Sequence, residues 1–308
     1  MKNETTVTIG IPAYNEEQNI DNLLQSLLLQ KHADFAIQEI LVVSDCSNDN
    51  TDKIVQKFSQ KYPFIKLIQG KNRKGKYFRV NQIFKSCKSD VLIVLDADIA
   101  LVGKNFIQKL THTLITDPKA QLVSAHNILL QPKDLIGKVI HANFVLWDFV
   151  RQSIPYYDHA ANFYGSATAY RGTFARSMTI PDTLSDPHLY IYLSAKKLNG
   201  FRYCREAEVL QWPLSTLEDL DKFLNRTIGK KDKMLEKMFD VKIEDVYYFP
   251  RRYKFLGLLK ALLRYPFYTP LALLLSFSIA KRKLPQKKTN SPIWDITLSS
   301  KKPITYAK

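Results

Sequence analysis

Four short β-rich runs, at residues 7–11, 39–43, 65–68 and 91–95, alternate with stretches of helical periodicity. Each run is brief and rich in branched residues, the pattern of a strand buried on both faces. Between the first two, Ile20, Leu23, Leu24, Leu27 and Leu28 fall at helical spacing, behind an acidic first turn at Asn15-Glu16-Glu17-Gln18. Ile54, Val55 and Phe58 mark a second helix, and Val80, Ile83, Phe84 and Cys87 a third. No hairpin signal joins neighbouring strands. The connections are therefore crossovers, and the chain reads as an α/β fold with a mostly parallel central sheet flanked by helices. Beyond Lys104 the pattern is less regular. A helix is expected around 106–114, a strand at 121–125 and an aromatic helix at 138–153.

In such a sheet, ligands bind outside the carboxyl ends of the strands. Four polar loops arrive there: Pro12-Ala13-Tyr14-Asn15-Glu16, Ser44-Asp45-Cys46-Ser47-Asn48-Asp49, Gly70-Lys71-Asn72-Arg73-Lys74-Gly75-Lys76 and Asp96-Ala97-Asp98. Two carboxylates one residue apart at a buried strand end repel each other unless a cation compensates them. A hard divalent ion, Mg²⁺ or Mn²⁺, would do so and would also hold phosphate oxygens. Alternatively, both are solvated residues capping a loop. The third loop follows a P-loop pattern up to its last position. There Tyr77 replaces the Ser or Thr that would hold Mg²⁺, so a P-loop-like nucleotidase is the weaker alternative.

The four motifs, in this order, resemble those of the family 2 glycosyltransferases, inverting enzymes of the GT-A fold that use nucleotide-sugar donors, usually UDP-sugars. The likeness spans residues 6–225. It implies that Asp45 binds the base or ribose, with Pro12, Tyr14 and Glu16 completing the nucleoside pocket. Arg73 and Lys76 would face the diphosphate. Asp96 and Asp98 would hold the metal, with Asp96 also beside the donor. Tyr164-Gly165-Ser166 resembles the family's small-residue segment under the donor sugar, so Gly165 and Ser166, with Trp147 from the aromatic helix, are assigned to the sugar and acceptor region. Ser185-Asp186-Pro187-His188 stands where the family carries paired acids before a helix. Asp186 is the expected catalytic base and His188 the alternative; an aspartate before proline is also a plain helix cap. Processive relatives carry Gln-x-x-Arg-Trp near Asn225-Arg226-Thr227, and its absence here implies transfer of a single sugar.

The net charge is +16, of which +13 lies from Arg226 onward. There it surrounds an apolar segment at 255–280, flanked by Arg251-Arg252 and Lys281-Arg282-Lys283. The charge-free part, 265–280, is shorter than the roughly 20 residues that span a bilayer. Basic flanks and aromatics near one end suit an element lying in the plane of an anionic leaflet. The basic residues do not interleave with aromatics, so a nucleic-acid partner is not expected. The division read from the sequence is a transferase domain at 1–230, with a donor half to about 104 and an acceptor half from about 105, then a basic extension at 231–308. Three cysteines without ligand spacing point to a reducing compartment. With no apolar leader before the first strand, the expected location is the cytoplasmic face of the cell membrane. The function expected is metal-dependent, non-processive transfer of a sugar from a nucleotide donor to a hydroxyl, on a lipid-linked acceptor or a cell-envelope glycan precursor. A catalytically inactive membrane-bound relative is the other alternative.

Overall fold

The computed structural model describes residues 4–31, 34–155, 158–227, 233–281 and 297–304. Its strands are β1 (Thr5–Ala13), β2 (Phe35–Ser44), β3 (Ile65–Gln69), β4 (Val91–Leu95), β5 (Ala100–Leu101), β6 (Leu122–Leu129), β7 (Ala167–Arg171) and β8 (Phe201–Gln211). The helices are α1 (Ile20–Leu28), α2 (Thr51–Lys61), α3 (Lys76–Ser86), α4 (Phe106–Thr116), α5 (Leu135–Gln152), α6 (Gly172–Ser177), α7 (Pro187–Lys197), α8 (Leu217–Thr227), α9 (Lys233–Phe239), α10 (Ile243–Val246), α11 (Arg251–Arg264) and α12 (Tyr268–Lys281).

The strands form one sheet in the order β3-β2-β1-β4-β7-β6-β8-β5. The first four run parallel, as their crossovers require, so Ala13, Ser44, Gln69 and Leu95 end on one edge. β7 runs antiparallel between β4 and β6. Its Ala-Thr-Ala-Tyr-Arg sequence lacks a branched apolar run, which hides it from a hydropathy reading.

Both faces of the sheet are covered. Val7, Ile9 and Ile11 pack with Ile40 and Val42 beneath α1, α2 and α4. Leu41, Val43, Leu92 and Val94 pack on the other face beneath α3, α6 and α7. α3 lies close on β1 because Gly10 leaves room: a Cβ there would meet the Ile83 side chain at 2.3 Å.

The apolar segment at 255–280 is two helices, α11 and α12, broken around Pro266. α11 packs on α5 through small residues. A Cβ on Gly257 would meet the Val150 backbone nitrogen at 2.7 Å, and Ala261 is fully buried. Lys260 donates to Ser153 Oγ at 3.1 Å, and Asn143 of α5 bonds to Ser276 of α12. Among the described residues no helix is long and apolar enough to cross a membrane. At 14 residues, α12 measures about 21 Å against a hydrocarbon core of about 30 Å. Arg282 and Lys283 of the expected basic flank, and the expected boundary at residue 230, lie outside the described residues.

Candidate active site at the carboxyl edge of the sheet

The four loops meet along one wall of a cavity of about 1030 Å³. Pro12, Tyr14, Glu16, Asp45, Arg73, Lys76, Asp96 and Asp98 all line it, as the sequence led us to expect. The turns that bring them there are tight. Asn15 and Cys46, just past the ends of β1 and β2, have φ of 53° and 64°, a left-handed conformation that non-glycine residues adopt rarely. Arg73 lies over the Tyr14 ring, 4.1 Å from its centre, so a flat cation and an aromatic face close this end of the cavity.

Asp45 is held more firmly than a ligand-binding role alone requires. Its Oδ1 accepts from Lys74 N at 2.8 Å and Arg79 Nε at 2.7 Å, and its Oδ2 accepts from Gly75 N at 2.8 Å. Three of roughly four acceptor positions are thus filled by protein. Arg79, which the sequence reading missed, is buried and also donates to Asn72 O at 2.6 Å. Its one sequence signal is an arginine between Tyr77 and Val80 on the buried face of α3. The same contacts remove the P-loop alternative. The N–H groups of Lys74 and Gly75, which would cradle a phosphate, are held by Asp45. The Arg79 guanidinium fills the space above Gly70, where a Cβ would meet it at 2.2 Å.

At the acidic end, Lys76 Nζ pairs with both oxygens of Asp96, at 2.6 and 2.8 Å. Burial and the neighbouring Asp96 charge raise Asp98 to about 6. Burial and Asp98 push Glu16 up to about 8, against the pull of the Lys301 ammonium bonded to it. A pocket that disfavours its own carboxylate charges wants a cation. Among the described residues no three His, Cys, Asp or Glu side chains form a complete metal cage. Two carboxylates one residue apart instead suit Mg²⁺ or Mn²⁺, which complete their shells with phosphate oxygens and water. The donor set is compatible with such an ion, which Asp98 and Asp96 would hold.

The far wall carries the second half of the chain. Ser166 lines the cavity, its carbonyl accepting from Asp96 N at 2.7 Å and its hydroxyl donating to Asn127 at 2.8 Å. Gly165 lines it too, but the small residue is needed for a different neighbour: a Cβ would meet the His188 ring at 2.0 Å. His188 stands edge-on to Tyr77 at 5.5 Å and Phe163 at 5.9 Å, in an aromatic setting. Asp186 also lines the cavity while capping α7, its Oδ1 accepting from Leu189 N at 2.9 Å. Both the cap and the site reading of Asp186 thus have a physical basis.

Trp147 does not line the cavity, contrary to its expected place in the acceptor region. It stands about 100° around α5 from the cavity-lining Asp148 and packs instead on Phe249 at 5.9 Å. Phe144, Val145 and Asp148 take its place. Trp212 does line the cavity, and its Nε1 donates to Pro303 O at 3.1 Å. The lining then continues to Phe223 and to Tyr265, at the break between α11 and α12.

Sheet, cavity and acidic edge together have the layout of the GT-A transferase fold. The chain belongs to glycosyl transferase family 2, whose family model matches residues 8–175, more than half of its length. A probable glycosyltransferase of Bacillus subtilis, YdaM, is 33% identical over 156 residues, 49% of this chain and 37% of its own. The dolichol-phosphate mannosyltransferase of Pyrococcus furiosus is 38% identical over 97 residues, 30% of this chain and 26% of its own. The chain thus spans well under half the length of these relatives. Among solved structures, the mannosyltransferase PcManGT from Pyrobaculum calidifontis, in complex with GDP-Man and Mn²⁺, has a TM-score of 0.56 at 19% identity. It covers 92% of this chain and 78% of that one. TarS from S. aureus, in complex with UDP, has a TM-score of 0.51 at 17% identity, over 78% and 76%. Both are alike in fold.

Proposed function

We propose that this protein transfers one sugar, with inversion, from a nucleoside-diphosphate sugar to a hydroxyl acceptor, in a reaction that depends on Mn²⁺ or Mg²⁺. The observation that carries this reading is the meeting of all four loops in one cavity, with a nucleoside end at Tyr14 and Asp45 and an acidic end at Asp96 and Asp98. UDP is the preferred nucleotide by family habit; GDP is the competitor, since PcManGT is solved with GDP-Man. The bound ion would supply charge stabilisation for the departing diphosphate. Lys76, now paired with Asp96, would face the same group; Arg73, expected there as well, lies over the Tyr14 ring and would flank the base instead. Asp186 would take the proton from the acceptor hydroxyl as that oxygen bonds to the anomeric carbon and the bond to the diphosphate breaks. Asn225-Arg226-Thr227, in place of Gln-x-x-Arg-Trp, supports a single transfer.

Asp186→Asn separates the base from the cap, because asparagine also caps helices well. Folding and donor affinity should stay unchanged while kcat falls by about 10²–10⁴. Retained kcat in this variant, with loss in His188→Gln, would move the role to His188.

We further propose that α11 and α12 lie on an anionic membrane, on the cytoplasmic face, and that the acceptor is lipid-linked. Leu263 and Phe267 are 78% and 81% exposed, and Phe255, Leu259, Leu274 and Phe277 continue the apolar surface. Arg251, Arg252, Lys254 and Arg264 are exposed beside it, which matches anionic headgroups. The cavity lining runs to Tyr265 within this surface, so a lipid-borne hydroxyl would enter from that side. The protein should float with vesicles containing phosphatidylglycerol and not with neutral ones. Leu263→Asn with Phe267→Asn should weaken vesicle binding at least about tenfold, since each exposed apolar side chain contributes roughly 1.5–3 kcal/mol when buried. Unchanged flotation of that double variant would contradict the placement.

A further inference from the structure

Residues 297–304 lie far from the donor loops in sequence and against them in space. The segment is tied down at both of its ends, and its Thr297, Ser300 and Lys301 line the cavity. At one end, Ser299 N donates to Asp219 Oδ2 at 2.8 Å, and Ser215 N donates to Ser299 Oγ at 3.1 Å. At the other, Ile304 N donates to Asn19 Oδ1 at 3.1 Å, and Asn22 Nδ2 donates to Ile304 O at 3.2 Å. Trp212 holds the Pro303 carbonyl between them. Ile304 is 4% exposed and Asn19 2%, so the segment is docked and its seat is built for it.

What it delivers is Lys301. The ammonium donates to Tyr14 O at 2.8 Å and bonds to the Glu16 carboxylate. Its charge also acts on Asp98. It thus stands in the cavity between the Tyr14 carbonyl and the acidic end, where a diphosphate joining the proposed nucleoside and metal positions would pass. Lysine suits that place: a compact charge on a flexible stem, able to keep the Tyr14 carbonyl while moving one donor from Glu16 to a phosphate oxygen. An incoming cation at Asp98 would compensate the carboxylates as the ammonium turns to the phosphate.

We infer that Lys301 is a donor-binding residue, carried into the pocket by the 297–304 segment, and that its ammonium contacts the diphosphate of the nucleotide. This rests on the proposed donor class. It adds a residue outside the matched family region, which ends at residue 175.

The test is calorimetric binding of UDP, GDP and uridine to the full chain, in Mn²⁺ and again in EDTA. Lys301→Ala should bind the preferred diphosphate at least about tenfold more weakly in both conditions, the scale of one charge-assisted hydrogen bond. Uridine, which lacks phosphates, should bind as before, and Lys301→Arg should recover most of the loss. Ile304→Ser, which loosens the segment and leaves Lys301 in the chain, should weaken diphosphate binding in the same direction. Equal or tighter diphosphate binding by a folded Lys301→Ala would overturn the inference, because the ammonium would then be a structural clasp or a competitor. Equal losses for uridine and UDP would overturn it as well. If the wild type binds neither diphosphate, the donor reading itself falls; if wild type and Lys301→Ala bind alike, only the role of Lys301 falls.

Discussion

Asp98→Asn is expected to abolish transfer, lowering kcat/KM by about 10³-fold or more, while leaving the fold intact. The magnitude follows from the several kcal/mol that a metal ion contributes to charge stabilisation at a leaving group, with each 1.36 kcal/mol worth about tenfold. The fold should survive because Asp98 is a stability cost when ionised without a cation. Its pKa is raised to about 6 by burial and Asp96. A carboxyl group with a raised native pKa contributes fully only below its unfolded value near 3.9. That contribution is lost as pH climbs through about 6. The metal-free wild type should therefore lose stability between pH 4 and 7, of the order of 2–3 kcal/mol from this group. Asp98→Asn should lose this share of the slope, keeping that of Glu16, whose pKa burial also raises, and be at least as stable at pH 7 in EDTA. Denaturant unfolding across this pH range, with activity assayed alongside, checks both halves.

Arg79→Ala should be the most damaging change to the fold at the site, costing about 3–5 kcal/mol, the range for removing one partner of a buried ion pair. Both side chains of the Asp45–Arg79 pair are 5% exposed, and their atoms meet at 2.7 Å. Without the guanidinium, the Asp45 carboxylate keeps its backbone bonds but loses its counter-charge. The Asn72 carbonyl loses its donor as well. Arg79→Lys should rescue only partly, because one ammonium cannot bond Asp45, Asn72 and Gln82 with the geometry of the guanidinium fork. Asp45→Asn combined with Arg79→Met should be more stable than Arg79→Ala alone, since it leaves no unpaired charge. A double-mutant cycle by urea unfolding measures these differences.

The first half of the chain was legible in the sequence because its signals are local. Strand, polar loop and amphipathic helix follow one another within about thirty residues, and each loop carries its own chemistry to the same edge. Asp96 and Asp98 could be read from the run that precedes them. The second half was less legible for physical reasons. β7 is built from Ala, Thr and Tyr, which carry no branched apolar signal. Gly165 is small to admit His188, a neighbour that only the fold supplies. Trp147 was placed by type, yet its position around α5 turns it towards Phe249. In the C-terminal helices, hydropathy shows the exposed apolar residues and conceals Gly257 and Ala261, the small ones that hold α11 on α5. Lys301 meets Glu16 across most of the chain length, and no sequence pattern announces such a return.

The most direct test of the account is the thermal stability of the wild type with UDP, GDP and ATP, each with and without Mn²⁺. UDP or GDP with Mn²⁺ should stabilise the protein far more than either component alone. At a hundredfold excess over Kd the gain is about 2.7 kcal/mol, which is a rise of several degrees for a domain of this size. ATP should give little. A shift with ATP equal to that with the diphosphates, or a diphosphate shift indifferent to Mn²⁺, would contradict a metal-dependent nucleotide-sugar site at the carboxyl edge of this sheet.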